Sequence, residues 1–264
     1  MSFDQGTWAA QPPNMVQSVQ RALRILELVA ESPDGIPAKA IARRLNLALS
    51  TTYHILHTLV AEGYVVRLEG MRGFGLGYKV PALNRDLRGK LGVSPAVAAA
   101  VEEVHRRAGA AAYYAVYRDR EVVIAHVADS SKAPRVDPLD VGFHQAAHAL
   151  AFGKVMLASL PPADRREYLR ERGLPVFTER TTTEGARLER DLARVATLGL
   201  GADIEEFQPG LACVAAPVVG ADGAVTGAVS VSVPVVTLVE DRPRLEAAVR
   251  EGAARISRVL AIAS

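Results

Sequence analysis

The sequence is short of the residues that cross-link chains and hold structural metals. It contains a single cysteine, Cys213, which excludes an internal disulfide and the usual cysteine-rich zinc cluster. His126, His144 and His148 have no matching cysteine or carboxylate cluster, so neither a metal nor a cofactor is expected. No apolar run reaches the roughly 18 residues that a membrane-spanning helix needs. The opening stretch, MSFDQGTWAAQPPN, has no lysine or arginine and no continuous apolar centre; that excludes a secretory signal, and residues 1–14 read as a flexible tail. These absences point to a cytoplasmic protein with no membrane partner.

What is present is globular in character. The 264 residues are 49% hydrophobic and 23% charged, enough for two modest domains. The net charge of +2 conceals an asymmetry: residues 1–90 carry 11 Lys+Arg against 7 Asp+Glu, and the remainder carries 20 against 22. A basic front and a mildly acidic back favour a polyanion partner for the front alone.

In the front segment, Val19, Ala22, Leu23, Leu26, Val29 and Ala30 recur at helical spacing and form one apolar stripe. Ser32-Pro33-Asp34-Gly35 stops that helix, and Pro37 suits the first position of a second helix reaching Leu45, with Ala40, Ile41 and Leu45 facing inward. After a tight Asn46-Leu47 connection, Ser50 is placed to cap a third helix that runs to about Glu62. Thr52, Ile55, Leu56, Leu59 and Val60 form its buried face. Ser50, Tyr53, His54 and His57 lie opposite, on a polar face without an acidic residue. A helix that presents its N-terminal donors after a short turn matches the helix-turn-helix arrangement, with Ser50, Thr51, Tyr53 and His54 toward bases, His57 on the same DNA-binding face, and Lys39, Arg43 and Arg44 toward phosphates. Tyr64-Val65-Val66-Arg67, a turn over 69–73 and Phe74-Gly75-Leu76 then read as a hairpin wing, with Arg67 and Arg72 near its tip. The competing reading is a small helical packing module whose histidines are simply exposed; the basic hairpin favours DNA.

The back segment alternates helices and strands: a helix over 95–108, strands over 112–117 and 122–127, and helices over 147–160, 162–172 and 185–198. Strands over 212–219 and 224–233 flank the Gly220–Gly223 turn, and a closing helix covers 241–262. This pattern predicts an α+β domain with an antiparallel sheet. Cys213, Ser230 and Ser232 are small polar groups in apolar strands, and the two serines share a face by the strand period. They either line a ligand cleft or are solvent-facing serines beside a small core cysteine; the residues alone leave both open.

The stretch VQSVQRALRILELVAESPDGIPAKAIARRLNLALSTTYHILHTLVAEGYV resembles the opening of the IclR family of transcription regulators. FGLGYKV resembles its wing exit, AAHALAFGKVMLA (146–158) its His-Ala-x-x-x-Gly-Lys helix, and EEFQPGLACVAAPV (205–218) its signature around the cysteine. The resemblance spans about residues 16–262. It implies a winged helix-turn-helix over 15–77, a linker helix over 78–93 and a GAF-like effector domain over 94–264. It further implies an effector site at Asp203, Cys213, Ser230 and Ser232, with backbone amides of Ala151 and Phe152 receiving an anionic group. The effector class it implies is a small organic acid or aromatic compound. A dimer, and a dimer of dimers, on double-stranded operator DNA is expected, with the stripe in 17–32 and the linker as contact surfaces. Two departures stand out: His54 where many relatives carry arginine, and a bulkier Leu150-Ala151-Phe152.

Two other classes compete. An enzyme would use Cys213 as nucleophile with His148 or His144 as base, but no nucleophile turn or oxyanion motif surrounds the cysteine. A ligand-free architectural DNA binder would leave the large apolar back domain unexplained. The reading is therefore a regulator and not an enzyme.

Overall fold

The computed structural model of the chain describes residues 15–68 and 73–263. The chain folds as two compact units that meet in sequence at Lys90 and Leu91.

In the first unit, α1 (Gln17–Ala30) ends where Gly35, at a φ of +83°, turns the chain into Ile36 and Pro37. Pro37 stands just outside α2 (Ala38–Arg44) as its extended N-cap, because φ fixed near −70° with ψ at 146° delivers the chain to the helix. Asn46, at a φ of +50°, makes the sharp connection to α3 (Leu49–Ala61). Strands β1 (Val65–Leu68) and β2 (Gly73–Leu76) pair antiparallel, and Ile36 adds a bridge to Phe74 on the other edge of β2. The small core gathers Ile25, Leu28 and Val29 from α1, Ile41 from α2, Leu56 from α3, and Ile36, Val65 and Phe74 from the sheet. Each such side chain contributes about 1.5–3 kcal/mol by leaving water. Helix α4 (Lys79–Leu91) follows the wing.

Besides Pro37, which caps α2 instead of occupying its first position, three expectations for this unit change. The α1 core face is Ile25, Leu28 and Val29, whereas Val19, Leu23 and Ala30 are exposed. The apolar side of α1 is wide enough for packing to take one edge of it, and the core takes the edge carrying Ile25 and Val29 together with Leu28. Ala48, not Ser50, is the N-cap of α3, because the extended conformation that leaves the turn falls at Ala48. Ser50 therefore sits in the first turn, exposed. Val60 is also exposed rather than buried.

The second unit is a five-stranded antiparallel sheet of order β4-β3-β7-β6-β5. Its strands are β3 (Ala111–Arg118), β4 (Glu121–Ala128), β5 (Gly201–Ile204), β6 (Leu211–Val219) and β7 (Val225–Pro234). Strands β3 and β4 join through Asp119-Arg120, both at positive φ. Strands β6 and β7 join through the Gly220–Gly223 turn, closed by Gly220 N–H donating to Ala224 O at 2.8 Å. One sheet face, carrying Ala112, Tyr114, Val214, Val229 and Val231, packs on α5 (Pro95–Ala108) and α9 (Val235–Ala263). Helix α9 bends at Asp241, two residues before Pro243, and so begins earlier than the expected Asp241. The opposite face, carrying Tyr113, Ala115, Cys213 and Ala215, packs under α6 (Ala151–Ser159) and α8 (Gly185–Leu198), with α7 (Pro162–Arg172) adding Tyr168.

The helix expected over 147–160 is interrupted. Ala147–Ala149 is a 3-10 turn entered from Ala146 at a φ of +62°, and extended Leu150 separates it from α6. A side chain at position 153 would come within 2.2 Å of Ala147 O, so Gly153 is what lets the turn fold back onto α6. The break starts α6 at Ala151, against the sheet.

Candidate functional site: a polar row on the sheet and an exposed helix face

The register of the second unit brings the predicted residues together. Asp203 pairs with Cys213, Cys213 with Ser232, and Ser232 with Ala111, so one row crosses β5, β6, β7 and β3. Residues two positions apart share a face, and the adjacent row on that face holds Gly201, Ala215, Ser230 and Tyr113. All of these polar side chains are buried. The serines therefore point under α6, not at solvent.

Gly201 sets the approach of helix to sheet. A side chain there would come within 2.6 Å of Ala151 O and 2.8 Å of Val155 Cγ2, so glycine alone lets the start of α6 lie directly on β5. That closeness carries Ala151 N–H to Asp203 Oδ2, at 2.8 Å. Of the two amides expected to receive an anion, the Ala151 amide is thus held by the chain's own carboxylate. Asp203 Oδ1, by contrast, is buried with no hydrogen-bond partner among the described residues, as is Ser230 Oγ. Burial pushes the Asp203 carboxyl up to about 7, opposed by the Ala151 N–H, the Cys213 thiol and the Lys154 charge. Burial also holds the Cys213 thiol well above its ordinary range, so it stays protonated. That is the opposite of what a nucleophilic cysteine requires.

The sequence offers no reason to single out Tyr113, Thr178 or Thr181, and none for the partners of Lys154 and His148. The Tyr113 hydroxyl lies 3.1 Å from Ser232 Oγ and accepts from Val136 N–H at 3.1 Å. Lys154, almost wholly buried, pairs with Glu206 of the loop between β5 and β6. Thr178 and Thr181 donate to the backbone carbonyls of Glu205 and Glu206, tying that loop to the 178–181 segment. His148 Nε2 donates to Pro175 O at 3.1 Å, and burial lowers its charging to about 4. It is a neutral structural histidine. The Lys of the Gly-Lys pair was a usable signal; the pairing of Tyr113 with Ser232 had none, since it depends on register. Among the described residues no group of three or more His, Cys, Asp or Glu could hold a metal ion, and no helix is long and apolar enough to cross a membrane.

In the first unit, Ser50, Tyr53, His54 and His57 form one exposed face of α3, with Thr51 half-buried at its margin. Thr52 is buried and donates to Ala48 O at 3.1 Å. Lys39, Arg43 and Arg44 on α2 and Arg67 on β1 are exposed. Arg72 and the wing turn over 69–72 lie outside the described residues, as does the expected tail.

A helix-turn-helix with a following wing, and a second unit of antiparallel sheet between helices, together define a DNA-binding transcription regulator. The family profile for the bacterial transcriptional regulator IclR C-terminal domain matches residues 89–258, and that for the IclR helix-turn-helix domain matches residues 18–69. The chain belongs to the IclR family of transcriptional regulators. It is similar to the glycerol operon regulatory protein of Streptomyces griseus, 33% identical over 93% of this chain and 96% of that one. It is also similar to the HTH-type transcriptional regulator BhcR of Paracoccus denitrificans, 29% identical over 90% and 84% of the two chains. Among solved structures, an IclR homologue from Microbacterium hydrocarbonoxydans complexed with 4-hydroxybenzoate is 26% identical. It aligns with a TM-score of 0.69 over 94% of this chain and 100% of that one.

Proposed function

We propose that this regulator binds operator DNA through α3 and the wing, and that a small carboxylate-bearing or aromatic effector controls it from the buried sheet face. Ser50, Thr51, Tyr53 and His54 meet base edges, with His57 on the same DNA-facing side; Lys39, Arg43, Arg44, Arg67 and Arg72 hold phosphates. The effector lies between Ala151-Phe152 and the strands of Asp203, Cys213, Ser230 and Ser232. The observation that carries this reading is the pair of unpartnered buried atoms, Asp203 Oδ1 and Ser230 Oγ, on one face of the sheet. Buried polar atoms without partners are costly, and a hydroxylated ligand satisfies both. Similarity to a homologue complexed with 4-hydroxybenzoate supports the same chemistry. The protein works as a dimer, or a dimer of dimers, in the cytoplasm, through the exposed apolar residues of α1 and the 78–93 linker, with the effector domain over 94–264.

Calorimetry of the full chain with benzoate, 4-hydroxybenzoate and short hydroxy acids, paired with operator titrations, tests this. Ser232→Ala is expected to weaken binding while leaving effector-free operator affinity intact. Equal ligand affinity in Ser232→Ala and wild type contradicts the placement.

A further inference from the structure

Tyr113 is the one phenol in the row beside Ser230, and it is 1% exposed. Its oxygen receives the Val136 N–H, and its second polar neighbour is Ser232 Oγ. A phenol that stays protonated has one hydrogen to give. Burial raises the ionisation of Tyr113 further from neutrality, so that hydrogen is present. With Val136 supplying the donor on one side, the Tyr113 hydrogen is directed at Ser232 Oγ. Ser232 Oγ then accepts that hydrogen with one lone pair, which turns its own hydrogen away from Tyr113 and toward a ligand. The neighbouring Ser230 Oγ and Asp203 Oδ1 stand buried and unpartnered on the same face, which marks the region as one that a polar ligand completes.

We infer that Tyr113 is a positioning residue of the effector site: it turns the Ser232 hydrogen toward the ligand, so the ligand atom favoured against Ser232 is an acceptor, a carboxylate or carbonyl oxygen. This rests on the reading that the sheet face binds the effector. Asp203 Oδ1, on the far side of Cys213, takes a hydroxyl or another donor when the carboxyl is charged. The site thus has polarity: an acceptor group of the ligand faces β7 and a donor faces β5. The same Tyr113 oxygen holds the Val136 backbone, so the orientation of Ser232 depends on the segment over 129–146.

The test compares 4-hydroxybenzoate with 4-hydroxybenzyl alcohol, which differ in whether the group at one end is acceptor-only. Both are titrated into the full-length wild type, Tyr113→Phe, Ser232→Ala and the double variant. Phenylalanine keeps the ring and removes only the hydroxyl. Tyr113→Phe is expected to lower the affinity for the acid about tenfold, the value of one neutral hydrogen bond, and to change that for the alcohol much less. In the Ser232→Ala background the same substitution should have no further effect, because Tyr113 acts through the serine. Equal losses for both compounds, or an undiminished loss in the Ser232→Ala background, overturns the inference and leaves the effector site standing. Binding of the acid that is indifferent to Ser232→Ala, or no binding of either compound by wild type, overturns the site reading and the inference with it. Should Tyr113→Phe fail to fold, 3-fluorotyrosine at position 113, which keeps the ring and hydroxyl but makes the phenol a stronger donor, is expected to change the affinity for the acid more than that for the alcohol; an equal change for both, or none, overturns the inference.

Discussion

Ala151 donates its backbone N–H to Asp203 Oδ2 across 2.8 Å, joining the first turn of α6 to the edge strand β5. The bond satisfies one of the amides that every helix start leaves open. It also keeps a carboxyl where burial disfavours its charge. Asp203→Asn retains an acceptor and removes the charge, so urea denaturation at pH 8 is expected to show a variant at least as stable as wild type. Asp203→Ala leaves the amide unpaired and should cost about 1–3 kcal/mol. A destabilised Asn variant with a neutral Ala variant contradicts this reading of the contact.

Acid and base act oppositely on two buried groups. Burial raises Asp203 from 3.8 to about 7, so its folded state prefers the proton; its stabilising contribution is full below about 3.8 and is lost as pH rises through 7. Burial lowers His148 from 6.5 to about 4, so its contribution is full above 6.5 and is lost as pH falls toward 4. Denaturation at pH 5 and 8 reads both. Asp203→Asn should lose ground relative to wild type on going from pH 8 to 5, and His148→Gln should gain it. Two variants that track wild type at every pH would refute both assignments.

On the proposed reading, the exposed face of α3 and the surrounding cations divide the work on DNA. His54→Ala should change sequence preference at a cost of about 1–3 kcal/mol on the preferred site. Arg67→Ala should weaken all sequences alike and flatten the salt dependence by about one unit. Titrations on selected and scrambled fragments at several salt concentrations distinguish the two. A reversed pattern would exchange their roles.

Val19 and Leu23, 56% and 55% exposed, lie outside the core that Ile25, Leu28 and Val29 build. Changing both to aspartate should leave each unit folded and convert the protein to a monomer by light scattering, with weakened operator binding. An unchanged oligomer places the contact elsewhere.

Local signals carry far in this chain, and register does not. Alternation in β7 is enough to put Ser230 and Ser232 on one face, and the outward polar face of α3 emerges from a 3.6-residue period. Turn residues mark the ends of α1 and the β6–β7 hairpin. By contrast, Tyr113 and Ser232 are 119 residues apart, and nothing local sets their strands side by side. The alanine-rich 147–160 stretch favours an unbroken helix on propensity; the fold-back against Gly153 overrides it. Ser50 has the right chemistry for a cap but lies two residues past the extended turn at Ala48. The segment over 129–146, which meets Tyr113 through Val136, has no periodicity that announces its place.

Above all, the exposed face of α3 is proposed to read an operator. Genomic fragments retained by the full-length protein supply the site, and mobility-shift titration compares it with a scrambled fragment for wild type and for Tyr53→Ala/His54→Ala. Wild type is expected to prefer the retained fragment by about a thousandfold or more. In the double variant that preference should collapse toward the shared non-specific affinity, which Arg43, Arg44 and Arg67 sustain. A double variant that keeps the full preference would contradict the claim.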